Sequence, residues 1–167
     1  FNPVVTLPSG GYLVINQTEA LVAVDVNSGK STREYSVEKT ALATNLEAAT
    51  EVARQARLRD LAGLLVIDFI DMASEENRLA VEKAMEKATA NDRARVQIGT
   101  ISRFGLLELS RQRLMNSVAE STGKTCSQCN GSGTTPTIPT LALNIIRQIE
   151  DSLNSKKSNK IKVIKTT

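Results

Sequence analysis

Two aspartates stand out because the residues around them are of the kind that strands bury. Asp25 interrupts VAVDVN and Asp68 interrupts LLVIDFI. A carboxylate buried without a partner costs several kcal/mol or takes up a proton, so each placement calls for a compensating cation. An arginine could supply it as a buried ion pair, and so could a divalent metal ion. Side chains alternate along a strand, which puts Asn27 on the same face as Asp25 and able to orient it. Asp71, three residues beyond Asp68, is expected on the opposite face, capping or ion-pairing at the strand end. One or two carboxylates, with water completing the shell, suit Mg²⁺. That ion would activate water and stabilise the charge that develops in phosphodiester cleavage.

The chain contains no histidine. Ser-His-Asp and Cys-His nucleophiles are therefore excluded, as is a histidine general base. Carboxylates, lysine or a metal remain to drive any hydrolysis.

Cys126 and Cys129 are the only cysteines, in C-x-x-C followed by Asn-Gly-Ser-Gly. Three readings are open: a redox pair, half a zinc site, or two inert thiols. A thioredoxin-like redox motif belongs at the start of a helix after a strand, whereas this pair lies in a Gly-rich loop. Small residues let backbone amides turn toward thiolate sulfurs, which favours a metal. Structural zinc takes four ligands, and the flanking acids, Glu120 and Glu150, are distant in sequence. A second chain is then expected to supply the other cysteine pair.

Charge is unevenly divided. Residues 1–90 carry 9 basic and 13 acidic side chains, and residues 91–167 carry 12 and 5. A polyanion would be drawn to the second half. Solvated surface lysine accounts for Lys156, Lys157, Lys160, Lys162 and Lys165, but less well for Arg93, Arg95, Arg103, Arg111 and Arg113. These arginines crowd one predicted strand, RVQIGTI, and the segment after it, with Phe104 beside Arg103. Guanidinium groups bind phosphate in a fork, and an exposed ring can stack on an unpaired base. Core packing is the default expectation for Phe104.

Positioning these groups requires an α/β domain. GYLVIN and ALVAVDVN read as a hairpin or neighbouring strands around Gln17-Thr18-Glu19. From Val37 to Arg59 the period becomes helical, with Leu42, Leu46, Ala49, Ala53 and Ala56 on one face and Ser36 as N-cap; this helix should cover the sheet. LAGLLVIDFIDM has the continuous apolar run of a strand buried on both faces. Ser74 should cap a second helix whose inner face holds Val81, Ala84, Met85 and Ala88. Strands alternating with helices, after an opening hairpin, predict a mixed sheet covered by helices. CSQCNGSGTTPTIP marks a boundary. Beyond it Leu141, Ala142, Ile145, Ile146 and Ile149 predict an amphipathic helix that begins a second, small α/β domain. IKVIKTT reads like the start of a strand, and a first residue other than Met suggests a fragment. No apolar run approaches the ~20 residues of a transmembrane helix, and FNPVVTLPSGGY lacks the order of a signal peptide. A soluble, cytoplasmic protein is expected.

Four blocks in order, LPSGGYLVINQTEALVAVDVNSG, NLEAATEVARQARLRDLAGLLVIDFIDM, NDRARVQIGTISRFGLLELSRQRL and CSQCNGSG, make residues 4–150 similar to the ribonuclease E/G family. The resemblance implies a DNase I-like catalytic subdomain at 1–125, a zinc-link at 126–133 and the beginning of a small dimerisation domain at 134–167. It implies that Asp25 and Asp68 hold a catalytic Mg²⁺, that Asn27 supports Asp25, and that Cys126 and Cys129 hold a structural Zn²⁺ shared between two chains. The usual proline after the first cysteine is Ser127 here, which bears on loop rigidity and leaves the ligands intact. Arg95 matches an arginine that helps contact the phosphorylated RNA end. The implied activity is Mg-dependent endonucleolytic cleavage of single-stranded RNA, with A/U preference and a 5′-phosphate product, in ribosomal and transfer RNA processing and messenger RNA decay. The implied assembly is a homodimer through the zinc-link and a dimer of dimers in the full-length protein, with possible peripheral association with the inner membrane. Two other classes fit the residues alone. A non-catalytic RNA-binding scaffold would need the basic strand but neither aspartate, and a zinc-organised oligomerisation module would need only the cysteines.

Overall fold

The computed structural model describes residues 2–29 and 37–154. Ser36, the lysines from Lys156 to Lys165 and the IKVIKTT segment lie outside the described residues. The chain divides into two units, Phe1–Gly123 and Lys124–Thr167.

The first unit is a six-stranded mixed sheet with helices on one face. Its elements are β1 (Val4–Thr6), β2 (Tyr12–Gln17), β3 (Val22–Asn27), α1 (Val37–Leu58), β4 (Gly63–Asp68), α2 (Glu75–Thr89), β5 (Val96–Ile98), β6 (Leu106–Arg111) and α3 (Val118–Thr122). The strand order is β1-β2-β3-β4-β6-β5. β3 and β4 run parallel and every other neighbouring pair is antiparallel. A parallel pair needs a long crossover, and α1 supplies it. The hairpin turn between β2 and β3 is closed by Thr18, whose hydroxyl donates to the Leu21 carbonyl at 2.7 Å.

Alternation within the strands decides which face is covered. Leu13, Ile15, Val22, Val24, Val26, Leu65, Ile67, Leu107 and Leu109 point inward and are buried beneath α1 and α2. The other face is open. Leu64 is 41% exposed and Val66 half-buried, so β4 is covered on one face only, contrary to the expectation from its apolar run. Two strands were not anticipated. β1 has only three residues, and β6 shows period-two alternation in LLELSR, with Leu107, Leu109 and Arg111 inward and Glu108 and Ser110 outward.

α1 meets the sheet through small residues. Ala41, Thr44, Ala48, Ala49, Val52, Ala53 and Ala56 are buried, while the expected Leu42 and Leu46 are only partly buried at the margin of the core. The stripe keeps the expected Ala49, Ala53 and Ala56, but its first half shifts to Ala41, Thr44, Ala48 and the polar Asn45. Its side chain is fully buried and pairs with the backbone of Ile70 in both directions, Nδ2 donating to the carbonyl at 2.8 Å and Oδ1 accepting from the N–H at 3.0 Å. A buried amide with both ends satisfied fixes the chain two residues past Asp68.

α2 begins as anticipated at Ser74, whose hydroxyl accepts from the Asn77 N–H. Val81 and Met85 are buried, and Ala84 and Ala88 pack against the core. Glu38 adds a second cap from α1. Its carboxylate accepts from the N–H groups of Ala73 and Ser74 and from the Asn77 side chain. Those bonds, that of Ser74 foremost, hold the Glu38 carboxyl below its ordinary pKa.

In the second unit α4 (Ile138–Asn154) is the amphipathic helix expected there. Leu141 and Ile145 are half-buried, whereas Leu143, Ile146 and Ile149 are exposed. Among the described residues no helix is long and apolar enough to cross a membrane.

Candidate active site

The register of β3 against β4 sets Asp25 directly beside Asp68. Neighbours in register share a face, so both carboxylates stand on the open side of the sheet, Asp68 as the last residue of its strand. Both are exposed, which corrects the expectation that burial singles them out. The apolar residues around them, Val24, Val26, Leu65 and Ile67, belong to the opposite face. Neither aspartate forms an ion pair with an arginine among the described residues.

Asn27 stands two residues beyond Asp25 on the same face, and its Nδ2 donates to Asp25 Oδ2 at 2.9 Å. Gly11 closes in behind it. A Cβ there would sit 2.7 Å from the Asn27 carbonyl oxygen, so only glycine lets the two backbones meet. Partial burial, then the negative charges of Asp25 and Asp71, push the Asp68 carboxyl above its ordinary pKa. Asp71 is therefore electrostatically part of the site. The strand ends at Asp68, so alternation no longer governs Asp71. A Cβ built on Gly105 would meet Asp71 Oδ1 at 3.3 Å and Asp68 Oδ1 at 3.9 Å, which places both oxygens around one backbone position.

Two carboxylates side by side, facing solvent and without an ion-pair partner among the described residues, are a donor set for a hard divalent ion. The described residues contain no group of three or more acidic, histidine or cysteine side chains arranged to enclose a metal. Asp25 and Asp68 would leave most of the coordination shell to water and substrate, as Mg²⁺ prefers. The residues fit that ion.

The basic candidates separate into two groups. Arg111 points inward from β6. Its Nε and Nη2 donate to Asp92 at 2.9 and 3.0 Å, and its Nη1 donates to the Leu61 carbonyl at 2.9 Å. With side chains 4% and 3% exposed, Arg111 and Asp92 form a buried ion pair, and Arg111 is removed from the RNA-binding candidates. Arg113 is partly exposed but engaged by Glu120 and Asn116. Arg95 and Arg103 are exposed. Arg95 lines a groove with Gln97, Ser110 and Gln112. Ser110 pairs with Leu64 and with Gln97, and Val66 pairs with Glu108, so the groove lies on the face that carries Asp68. Phe104 is 81% exposed, against the default expectation of core packing.

Cys126 is exposed and Cys129 half-buried, and both are free thiols. Backbone N–H groups of Cys129 and Gln128, then the Cys129 side chain, approach the Cys126 sulfur and lower its pKa. The turn closes through Asn130 N–H to the Cys126 carbonyl at 2.8 Å and Ser132 N–H to the Cys129 carbonyl at 2.9 Å. Asn130 and Gly131 adopt positive φ, as this reversal requires. Amides aimed at a sulfur stabilise thiolate, the form that binds zinc. The pair fits half of a tetrahedral site.

The residue pattern set Asp71 apart on the opposite face, whereas its charge reaches Asp68, and it gave no role to Asn45, Glu38 and Gly105. Asn45 carried a signal, a polar residue inside an otherwise small and apolar helical stripe. The others depend on contacts between distant segments.

Residues 1–114 match the model of the Ribonuclease E/G family, and residues 125–167 match that of the RNase E/G, Thioredoxin-like domain. The chain is 51% identical over 164 residues to Ribonuclease E of Escherichia coli (strain K12), covering 98% of this chain and 16% of that protein. It is 51% identical over 164 residues to Ribonuclease E of Haemophilus influenzae, covering 98% and 18%. With Ribonuclease G of Escherichia coli it shares 41% identity over 145 residues, covering 87% and 30%. The chain thus spans less than a third of the length of each of these relatives.

Proposed function

The chain belongs to the ribonuclease E/G family, and we propose that it forms the catalytic part of an endoribonuclease that cuts single-stranded RNA with the help of Mg²⁺. The observation that carries this is the register pairing of Asp25 with Asp68 on the open sheet face. These two carboxylates would hold the ion. When bound, Mg²⁺ supplies the positive charge that activates water and offsets charge developing on the cleaved phosphodiester. Asn27 holds the Asp25 carboxylate in one orientation through its hydrogen bond to Oδ2. Asp71 adds negative charge beside Asp68, strengthening the demand for a cation. The uncovered face leaves space for an extended strand of RNA, and the Arg95 groove on that face receives phosphate. This chain brings no histidine to the site, which leaves its carboxylates, its lysines and bound water as its own proton carriers.

Cleavage of a single-stranded RNA oligonucleotide by the protein expressed from its whole reading frame is expected to require Mg²⁺ and to leave 5′-phosphate ends. Cleavage that persists undiminished in excess chelator would overturn the proposal.

Cys126 and Cys129 would hold a structural Zn²⁺ together with the same pair from a second chain, making metal binding part of dimer formation. One zinc per two chains is the expected stoichiometry, and Cys126→Ser/Cys129→Ser should shift the dimer toward monomer. Metal analysis joined to light scattering checks both. One zinc per monomeric chain, or a metal-free double variant as dimeric as the parent, would rule out the shared site.

A further inference from the structure

Phe104 is the most exposed aromatic side chain among the described residues, and it lies in a turn held by several hydrogen bonds. The turn is anchored on both sides. Glu82 of α2 accepts the Ile101 N–H at 2.6 Å, and Ile101 itself is 9% exposed in the core. Ser102 N–H donates to the Leu106 carbonyl at 2.8 Å, while the Ser102 hydroxyl accepts from the N–H groups of Phe104 and Leu106. Gly105 accepts the Phe69 N–H at 3.1 Å, one residue past Asp68. Its φ of +77° strains any side chain there, and a Cβ would meet the Phe69 carbonyl oxygen at 3.0 Å and Asp71 Oδ1 at 3.3 Å. The residue next to Phe104 is thus seated against Asp68 and Asp71, with Arg103 exposed on the other flank.

A hydrogen-bonded turn that leaves a ring uncovered, one residue from the glycine beside Asp71 and Asp68, is arranged as a stacking platform. Every base offers a π-face, and Phe104 is the one exposed ring among the described residues, Tyr12 being partly covered and Phe69 buried. We propose that Phe104 stacks on one unpaired base of the RNA next to the phosphodiester cut at Asp25 and Asp68. This rests on the nuclease reading above. The ring positions the substrate by contact and carries little sequence preference, because stacking tolerates any base. A base removed from that one nucleotide should cost what loss of the ring costs.

The test uses the protein expressed from its whole reading frame and a single-stranded RNA with one cleavage site. A series of these RNAs lacks one base at each position around the cut. Phe104→Ala is expected to slow cleavage of intact RNA about tenfold to a hundredfold, with Phe104→Trp close to the parent. At one abasic position the parent should fall to the level of Phe104→Ala, and the variant should lose nothing further there. Phe104→Ala cutting intact RNA within about twofold of the parent, or losing activity equally at every abasic position, would overturn the stacking role. Binding of the same RNA carrying 2-aminopurine near the cut, in Ca²⁺, separates this proposal from the nuclease reading. Quenching by the parent that Phe104→Ala lacks supports the platform even where no RNA is cut, and equal fluorescence with both proteins contradicts it.

Discussion

Asp25→Asn and Asp68→Asn are each expected to reduce Mg²⁺-dependent RNA cleavage on the order of a thousandfold or more, with the fold intact. Each change keeps the volume and removes the charge that would hold the cation. Both side chains are exposed, so no buried contact is lost. The parent places two like charges side by side in register, with a third nearby at Asp71, and that repulsion opposes folding in the absence of a cation. Removing one charge should therefore leave stability unchanged or slightly raised. Lost activity joined to retained stability distinguishes a ligand from a structural residue. Cleavage by either folded variant within about tenfold of the parent would take that aspartate out of the catalytic role.

Arg111→Ala should act in the opposite sense. Breaking a buried ion pair leaves the partner's charge uncompensated, and the expected loss is about 3–5 kcal/mol of unfolding free energy. Asp92 would keep its burial without its fork of donors, and the Leu61 carbonyl would lose its partner. The pH dependence follows from Asp92. Burial raises its pKa, but hydrogen bonds from Arg111 and Ala94, with the charge of Arg111, bring it below the ordinary value. A depressed carboxyl contributes stability that is complete above its unfolded pKa of about 3.9 and fades as pH falls through the lower folded value. The gap between parent and Arg111→Ala should thus be full at neutral pH and narrow below about pH 4. Urea unfolding at several pH values measures it. A variant as stable as the parent, but with weaker and less salt-dependent RNA binding, would return Arg111 to the RNA-contacting group.

What could be read from the residues alone followed the reach of each signal. Asp25 and Asp68 stood out because charge interrupts apolar strands, but alternation also allows such residues to stand on an open face, and only the pairing of β3 with β4 shows that they do. The hairpin, α1, α2 and α4 were legible from period. β6 was legible in principle from LLELSR, yet its arginine drew attention to charge instead of to inward alternation. Arg111 could not be told from Arg95 by type, since its partner Asp92 lies nineteen residues away. Asn45 and Glu38 hold the chain after Asp68 by bonds to backbone groups 25 and 35 or more residues distant. Such bonds leave no local pattern.

The cation site itself can be measured without any RNA. Mn²⁺ titrated into the protein and followed by electron paramagnetic resonance, with Mg²⁺ as competitor, reads the occupancy of the Asp25 and Asp68 pair. One Mg²⁺-competable site per chain in the parent, lost in Asp25→Asn/Asp68→Asn but kept in Arg111→Lys, is the expected result. A double variant that binds Mn²⁺ as the parent does would contradict the assignment of these two aspartates as the metal ligands.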